Sequence, residues 1–432
     1  MNKSIDRYIK LQGGFAIKSA DYRESGIPLI RISNVSSSGL DKTNVIFVPK
    51  EFSLELKDYL AYPDDTLIAM SGATTGKCCL VKKEDLPCII NQRVGRFVIN
   101  DENEVDKKFV YYIISSHEFQ NELLKDAVGG AQPNVSPRQI ERINWDFPLY
   151  EQQRKIAQIF STTDTVIEKT QAAIAKYKAI KQGMLNDLFT RGIDIKTGKL
   201  RPKQEDAPDL YKESVLGWIP KEWDENILKE IVDSLSPVTY GIVQPGSFDS
   251  NGILLIRGQD YISGWATEPE FFRVSENLHK QFIRSKTLNG DILICIVGAT
   301  YGAVSVVPDW IKEANITQTT ARIRCDKNTF SPSFLEYYLK SQFGRFFIEK
   351  YVKGSAQPGL NLGDVDKFII RFPKLLEEQK EIGKRMQSID NKIISEQAYL
   401  QKLQQIKSGL MADLLSGKKL VTITEELETQ TR

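Results

Sequence analysis

The chain has 432 residues, 58 Lys and Arg against 56 Asp and Glu, and 41% hydrophobic residues, enough for two or three domains with buried cores. It has no apolar run near the roughly 18 residues that cross a bilayer, and the N-terminus MNKSIDRYIKLQGG lacks the apolar centre of a secretory signal. A soluble cytoplasmic protein with no membrane partner is therefore expected. A net charge of +2 neither demands nor forbids a polyanionic partner, since a basic groove can be local.

The chain is written twice. Leu67-Ile-Ala-Met-Ser-Gly-Ala-Thr-Thr-Gly76 recurs as Leu293-Ile-Cys-Ile-Val-Gly-Ala-Thr-Tyr-Gly302, with six of ten positions identical at a displacement of 226. The same displacement relates Arg31 to Arg257, Gln92 to Gln318, Gly183 to Gly409 and Asp187 to Asp413, while Ala131-Gln132-Pro133 and Phe147-Pro148 recur at 225. Constancy over most of the chain means two copies of one large unit, not a solenoid of short repeats.

From the N-terminus, residues 1–150 show β-branched runs at Ile27 to Ile32, Thr66 to Met70 and Val94 to Ile99, separated by Gly, Asn and Pro, then a helical stretch from Lys107 to Leu124. This pattern predicts a mixed α/β globule. Residues 151–190 predict one long helix. Ile156, Phe160, Thr163, Ile167, Thr170, Ile174, Tyr177, Ile180, Met184 and Leu188 recur in steps of three and four, the 3.5-residue period of a coiled-coil seam. Residues 191–217 are polar and charged and read as a linker. Residues 218–376 repeat the globule, with runs at Ile253 to Ile256 and Ile292 to Val297 and a helical stretch from Pro332 to Tyr351. Residues 377–417 repeat the helix, its seam running through Ile382, Met386, Ile389, Ile393, Leu400, Leu403, Ile406, Leu410 and Leu414, and residues 418–432 form a tail. About 38 helical residues make a rod on the order of 55 Å. Two such stripes are buried most economically against each other, as an antiparallel coiled coil between two globules.

The chemistry-bearing residues are few. Five cysteines lack metal-knuckle spacing and are expected to be reduced and structural, and His117 and His279 do not correspond in the repeat and read as surface or helix-end residues. Trp145, Trp218, Trp223, Trp265 and Trp310 read as core anchors. Ser71-Gly-Ala-Thr-Thr-Gly-Lys77 has three residues between its glycine and Gly-Lys where a nucleotide loop needs four, and Cys78 stands where a hydroxyl should hold magnesium. The better reading is a tight strand-to-loop turn. Its glycines serve positive φ or a close approach, either by a DNA phosphate or by the protein's own core.

Two α/β units that each end in Phe-Pro, an acid, Gln and Lys-rich helix start (Glu151 to Ile156; Glu378 to Ile382) and a Gly-x-x-x-Asp-Leu exit (Gly183 to Phe189; Gly409 to Leu415) resemble the specificity subunit of type I restriction-modification enzymes. The Gly-Ala-Thr-x-Gly loop and the Gly-Trp-Ile-Pro-x-x-Trp lead-in at Gly217 to Trp223 are similar to that family too. The first copy lacks that lead-in, and the segment after Gly417 is the candidate to complete it. The resemblance implies a non-catalytic protein with two target-recognition domains. They bind the halves of a split, asymmetric double-stranded DNA sequence, with the paired helices as a ruler. It further implies methyltransferase subunits that use S-adenosylmethionine, and a restriction and translocase subunit that uses ATP and magnesium. No cofactor is expected on this chain.

In such a protein, residues alike in the two copies should serve scaffold or phosphate contacts, and residues that differ within the same loops should read bases. The shared set is Arg31/Arg257, Gly72/Gly298, Thr74/Thr300, Gly76/Gly302, Gln92/Gln318 and Gln132/Gln357; the divergent set is Thr75/Tyr301, Lys77/Ala303, Arg93/Thr319 and Asn134/Gly359. Arg93 and Lys77 are expected on guanine or phosphate in the first half-site, and Tyr301 in apolar or stacking contact in the second. Two alternatives stay open: a protein-only coiled-coil adaptor, and an enzyme with duplicated active sites, against which no acidic or histidine constellation repeats at 226.

Overall fold

A computed structural model describes residues 3–125, 134–354 and 358–422. The chain divides into two compact units, one of residues 1–172 with 398–432 and one of residues 173–397. The two long helices, α1 (Tyr150–Thr190) and α2 (Leu376–Leu414), each contribute residues to both units.

Each unit carries the same two sheets. In the first unit β1 (Ile9–Gly13), β2 (Thr66–Ala69), β3 (Cys78–Leu80) and β4 (Val94–Ile99) form an antiparallel sheet of order β1-β4-β2-β3. In the second, β5 (Thr239–Tyr240), β6 (Ile292–Cys295), β7 (Val304–Val306) and β8 (Thr320–Ile323) take the order β5-β8-β6-β7. The smaller sheet holds one parallel pair in each copy, Leu29 opposite Ile89 and Leu255 opposite Asn315. The central strands Thr66–Ala69 and Ile292–Cys295 are wholly buried, which is why they read as continuous apolar runs and not as alternation.

The predicted helical stretches are each two helices, Lys107–Ile114 with His117–Lys125 and Pro332–Lys340 with Gln342–Tyr351. The breaks fall at serines, where Ser116 Oγ accepts from Phe119 N and Ser341 Oγ from Phe343 N, giving the backbone an alternative to helix continuation.

Within the first unit Lys407 of α2 pairs with Asp164 of α1 at 2.5 Å, and Asp164 accepts from Tyr112 Oη at 2.9 Å. Within the second unit Lys181 of α1 pairs with Asp390 of α2 at 2.5 Å, and Asp390 accepts from Tyr337 Oη at 2.8 Å. The start of α1 therefore runs beside the end of α2, and the end of α1 beside the start of α2, so the helices are antiparallel and locked twice by one device. Burial, then the neighbouring aspartate, holds both phenols above their ordinary pKa, so each stays a donor. The lock corrects the predicted seam. Lys181 and Lys407 turn inward toward their carboxylates, which leaves Ile180 and Ile406, both expected in the seam, 41% and 44% exposed.

The polar segment 191–217 holds short strands Ile193–Asp194 and Lys199–Leu200, and the ladder of Tyr211–Ser214 with Gly217–Pro220. Buried Ile193, Ile219 and Trp223 join the core of the second unit with Leu185, Leu188 and Phe189 from the end of α1. Its polarity misleads because an ion pair organises it: buried Glu378 accepts from Arg201 Nη1 at 2.6 Å, Arg201 Nη2 at 2.9 Å, Trp223 Nε1 at 3.0 Å and Ile193 N at 2.9 Å. The first unit uses the chain's other end. Leu410, Met411, Leu414, Leu415 and Val421 pack on the core of Ile5, Ile9 and Phe160, standing where the end of α1 stands in the second unit.

All five cysteines are free and buried, and burial pushes the Cys78 thiol up to about 12. Trp223 is fully buried as expected of an anchor, whereas Trp218 and Trp310 are 44% and 45% exposed. His279 is not a surface residue. It is buried in the last turn of the helix Glu276–Gln281, the helix-end position expected, with Nδ1 2.7 Å from Asn315 Oδ1 and Nε2 3.0 Å from Glu313 Oε1. Among the described residues no helix is long and apolar enough to cross a membrane.

Candidate functional site

Three segments converge on the C-terminal end of β2. Gly76 N donates to Ala69 O at 2.9 Å and Ala69 N to Lys77 O at 2.9 Å, folding the Gly-Ala-Thr turn back on the strand. Met70 N donates to Arg93 O at 3.0 Å, and Val135 N to Met70 O at 2.8 Å. The end of β6 repeats all four bonds: Gly302 N to Cys295 O at 2.7 Å, Cys295 N to Ala303 O at 2.8 Å, Ile296 N to Thr319 O at 2.8 Å and Leu360 N to Ile296 O at 2.8 Å. Backbone hydrogen bonding alone thus brings residues 72–77, 91–93 and 134 into one cluster, and 298–303, 317–319 and 359 into its twin. Side chains are free to differ.

The four turn glycines have φ of +81° (Gly72), +83° (Gly76), +98° (Gly298) and +76° (Gly302), a region side-chain-bearing residues rarely adopt. At Gly76 an added Cβ would lie 2.7 Å from Gln120 Oε1, and at Gly302 2.7 Å from Ile348 Cγ2. The close approach at these two positions is to the protein's own helix.

Of the shared residues, Arg257 is held by Asp260, which accepts from Nε at 3.0 Å and Nη2 at 2.8 Å, while Arg31 donates from Nη2 to Asn44 O at 3.3 Å. Thr74 Oγ1 donates to Ile32 O at 3.0 Å, tying the turn to the Arg31 segment, and Thr300 Oγ1 lies 3.4 Å from Cys295 Sγ. Thr75 Oγ1 donates to Gly72 O at 2.7 Å, and Tyr301 packs half-buried on the core of its unit. Gln92 and Gln318 are exposed, as are Lys77, Arg93 and Asn134. Arg93 Nη1 reaches Ser71 Oγ at 3.4 Å. Gln132 and Gln357 lie outside the described residues. The first cluster therefore shows two cations, Lys77 and Arg93, at positions where the second has Ala303 and Thr319.

Sequence reasoning missed the segment beside this cluster. Gln92 N donates to Phe15 O at 3.0 Å and Gln318 N to Ile242 O at 2.9 Å, so the loops after β1 and β5 border the shared glutamines. The bridge of Phe15 to Asn91, matched by Ile242 to Thr317, and the strand pairs Gln12 with Arg96 and Thr239 with Arg322 reveal the correspondence, which the 226 displacement misses because here it is 227. The helix locks were missed too, although a signal was there: Asp164/Asp390 and Lys181/Lys407 repeat at 226. No group of three or more His, Cys, Asp or Glu that could hold a metal ion occurs among the described residues.

Fold and clusters together define a tandem-repeat α/β protein that has one polar loop cluster in each unit and a pair of long helices. The family profile described as the type I restriction modification DNA specificity domain matches residues 3–177 and 254–405, one match per copy. The chain belongs to that family, and a DNA-specificity role comes with membership. It is 27% identical over 392 residues to the type I restriction enzyme EcoBI specificity subunit of Escherichia coli, covering 89% of this chain and 78% of that protein. It is 26% identical over 369 residues to the MjaVIII specificity subunit of Methanocaldococcus jannaschii, covering 84% and 80%. Among solved structures, a type I restriction-modification S subunit from M. genitalium shares the fold with a TM-score of 0.60 at 16% identity, over 98% of this chain and 96% of that one.

Proposed function

We propose that the chain is the recognition subunit of a type I restriction-modification complex, reading a bipartite, asymmetric duplex with one loop cluster per half-site and the long helices fixing the gap. The carrying observation is the fourfold backbone hydrogen-bond pattern repeated at β2 and β6 under side chains that differ, at positions exposed in the first unit (Lys77, Arg93 and Asn134) and half-buried in the second. A common frame suits a common phosphate-backbone partner, and divergent side chains suit different base sequences.

The chain itself carries no chemistry in this reading. Methyltransferase subunits bring S-adenosylmethionine, and a restriction and translocase subunit brings ATP and magnesium, in the cytoplasm. Exposed apolar side chains that repeat between the copies suit a partner present in two copies. Leu149 and Leu375, 73% and 51% exposed, and Ile180 and Ile406 are apolar pairs related by 226 beside or on the long helices.

Replacement of Arg93 by alanine tests the assignment. Salt-matched binding to a panel of duplexes is expected to show altered preference in one half-site and none in the other. Equal losses on every sequence would make Arg93 a phosphate contact.

A further inference from the structure

Beside the second cluster an open cavity of about 600 Å³ is bounded by the loop after β5 and by the short helix Glu276–Gln281. Its chemistry is unlike that of a phosphate site. Asp249, whose Oδ1 accepts from Asn251 N at 3.0 Å, brings one carboxylate to the lining; Gln244, Asn277 and Gln281 bring three carboxamides, and Ser247 and Ser250 bring hydroxyls. All five amide and hydroxyl side chains are exposed and none makes a hydrogen bond within the described protein.

The cavity is built on a fixed frame. Ile242, two residues before Gln244, is fully buried, donates from N to Ile316 O at 2.7 Å and accepts from Gln318 N at 2.9 Å. On the far side Phe248 stands on Phe272 with ring centroids 5.6 Å apart, and Asp249 N donates to Arg273 O at 3.2 Å. Gln244 is thus carried on backbone tied to Gln318, the residue that the second cluster exposes, and the helix bearing Asn277 and Gln281 is held through His279 Nδ1, 2.7 Å from Asn315 Oδ1.

The first unit differs at each of the three amide positions. The bridge correspondence places Ile17 at the position of Gln244, and the 226 displacement places Glu51 and Glu55 at those of Asn277 and Gln281. Ile17 is in the core, and two carboxylates would repel a polyanion more than the single Asp249 in the lining of the second unit's cavity. Uncharged amides do not, and they offer the paired donor and acceptor that match the N6 and N7 edge of adenine.

We infer that Gln244, Asn277 and Gln281 form a base-reading subsite for an adenine-containing step in the half-site bound by the second unit. This inference rests on the proposed split-site reading.

The test maps methylated positions genome-wide with the full chain and its methyltransferase partner. The wild type is compared with Gln244→Ala, Asn277→Ala and Gln281→Ala, singly and combined. Discrimination is expected to fall about tenfold at one or two base pairs of one half-site, with the other half-site and the gap unchanged. That half-site is expected to be the one Arg93→Ala leaves intact. Should the triple variant not fold, the isosteric Gln281→Glu is expected to move preference from adenine toward cytosine, because a carboxylate only accepts. An unchanged motif in every variant overturns the inference, as does a uniform loss over all sequences at an unchanged melting temperature. A wild type that methylates no split motif removes the underlying reading, and the inference with it, before any variant is scored.

Discussion

Replacing Glu378 by alanine should destabilise the second unit by about 3–5 kcal/mol, the usual cost of removing one partner from a buried ion pair. Its carboxylate receives four hydrogen bonds, from Arg201 Nη1 and Nη2, Trp223 Nε1 and Ile193 N, and is itself 2% exposed. Without it a guanidinium whose side chain is 10% exposed keeps only the exposed Glu222, 3.5 Å from its Nε, as a carboxylate partner, and two buried donors lose their acceptor. The hairpin from Ile193 to Leu200 should then detach from the start of α2, and the Ile193 amide should exchange with solvent far faster than in the wild type. Glu378→Gln should be milder, since an amide oxygen still accepts. A double replacement, Glu378→Leu with Arg201→Met, should recover much of the loss, because apolar groups of similar volume often match a buried pair. Hydrogen exchange resolved by residue is the right measurement, as a chain of two units need not unfold in one step. Wild-type protection of Ile193 in Glu378→Ala would refute this account of the hairpin.

A chain ending at Gly409 should lose protection in the first unit, at the opposite end of the sequence. Leu410, Met411, Leu414, Leu415 and Val421 pack on the core that includes Ile5, Ile9, Leu11 and Phe97. Leu415 alone is 5% exposed, and its replacement by alanine should cost about 2–5 kcal/mol, a transfer loss plus the cavity left behind. The truncation removes all five apolar side chains and uncovers apolar surface around β1. Exchange should rise at Ile9–Gly13 and Val94–Ile99 while Ile292–Cys295 stays protected. Equal loss in both units, or none in either, would contradict the assignment of the C-terminal segment to the first unit.

These effects show where sequence was informative. A displacement held at 226 gave away the duplication, the long helices and the turn at Gly72 to Gly76, because repetition and a 3.5-residue apolar period are local or arithmetic properties of a chain. The seam failed only at Ile180 and Ile406, since apolar spacing does not reveal that a lysine one residue later has an aspartate to reach. Segment 191–217 was misread for a related reason: Arg201 looks solvated until Glu378, 177 residues away, supplies the buried carboxylate. The loop clusters were half legible. Their members were named from the repeat, but no local pattern shows that residues near 70, 93 and 135 meet on one strand end. The amide cavity was invisible, for it arises where the two copies differ.

The most direct test of split-site reading is to purify the full chain with its methyltransferase partner and sequence the methylated positions of a genome exposed to the complex. The account predicts one asymmetric motif in two parts separated by a gap of constant length. A single uninterrupted motif, or a gap that varies from site to site, would contradict it.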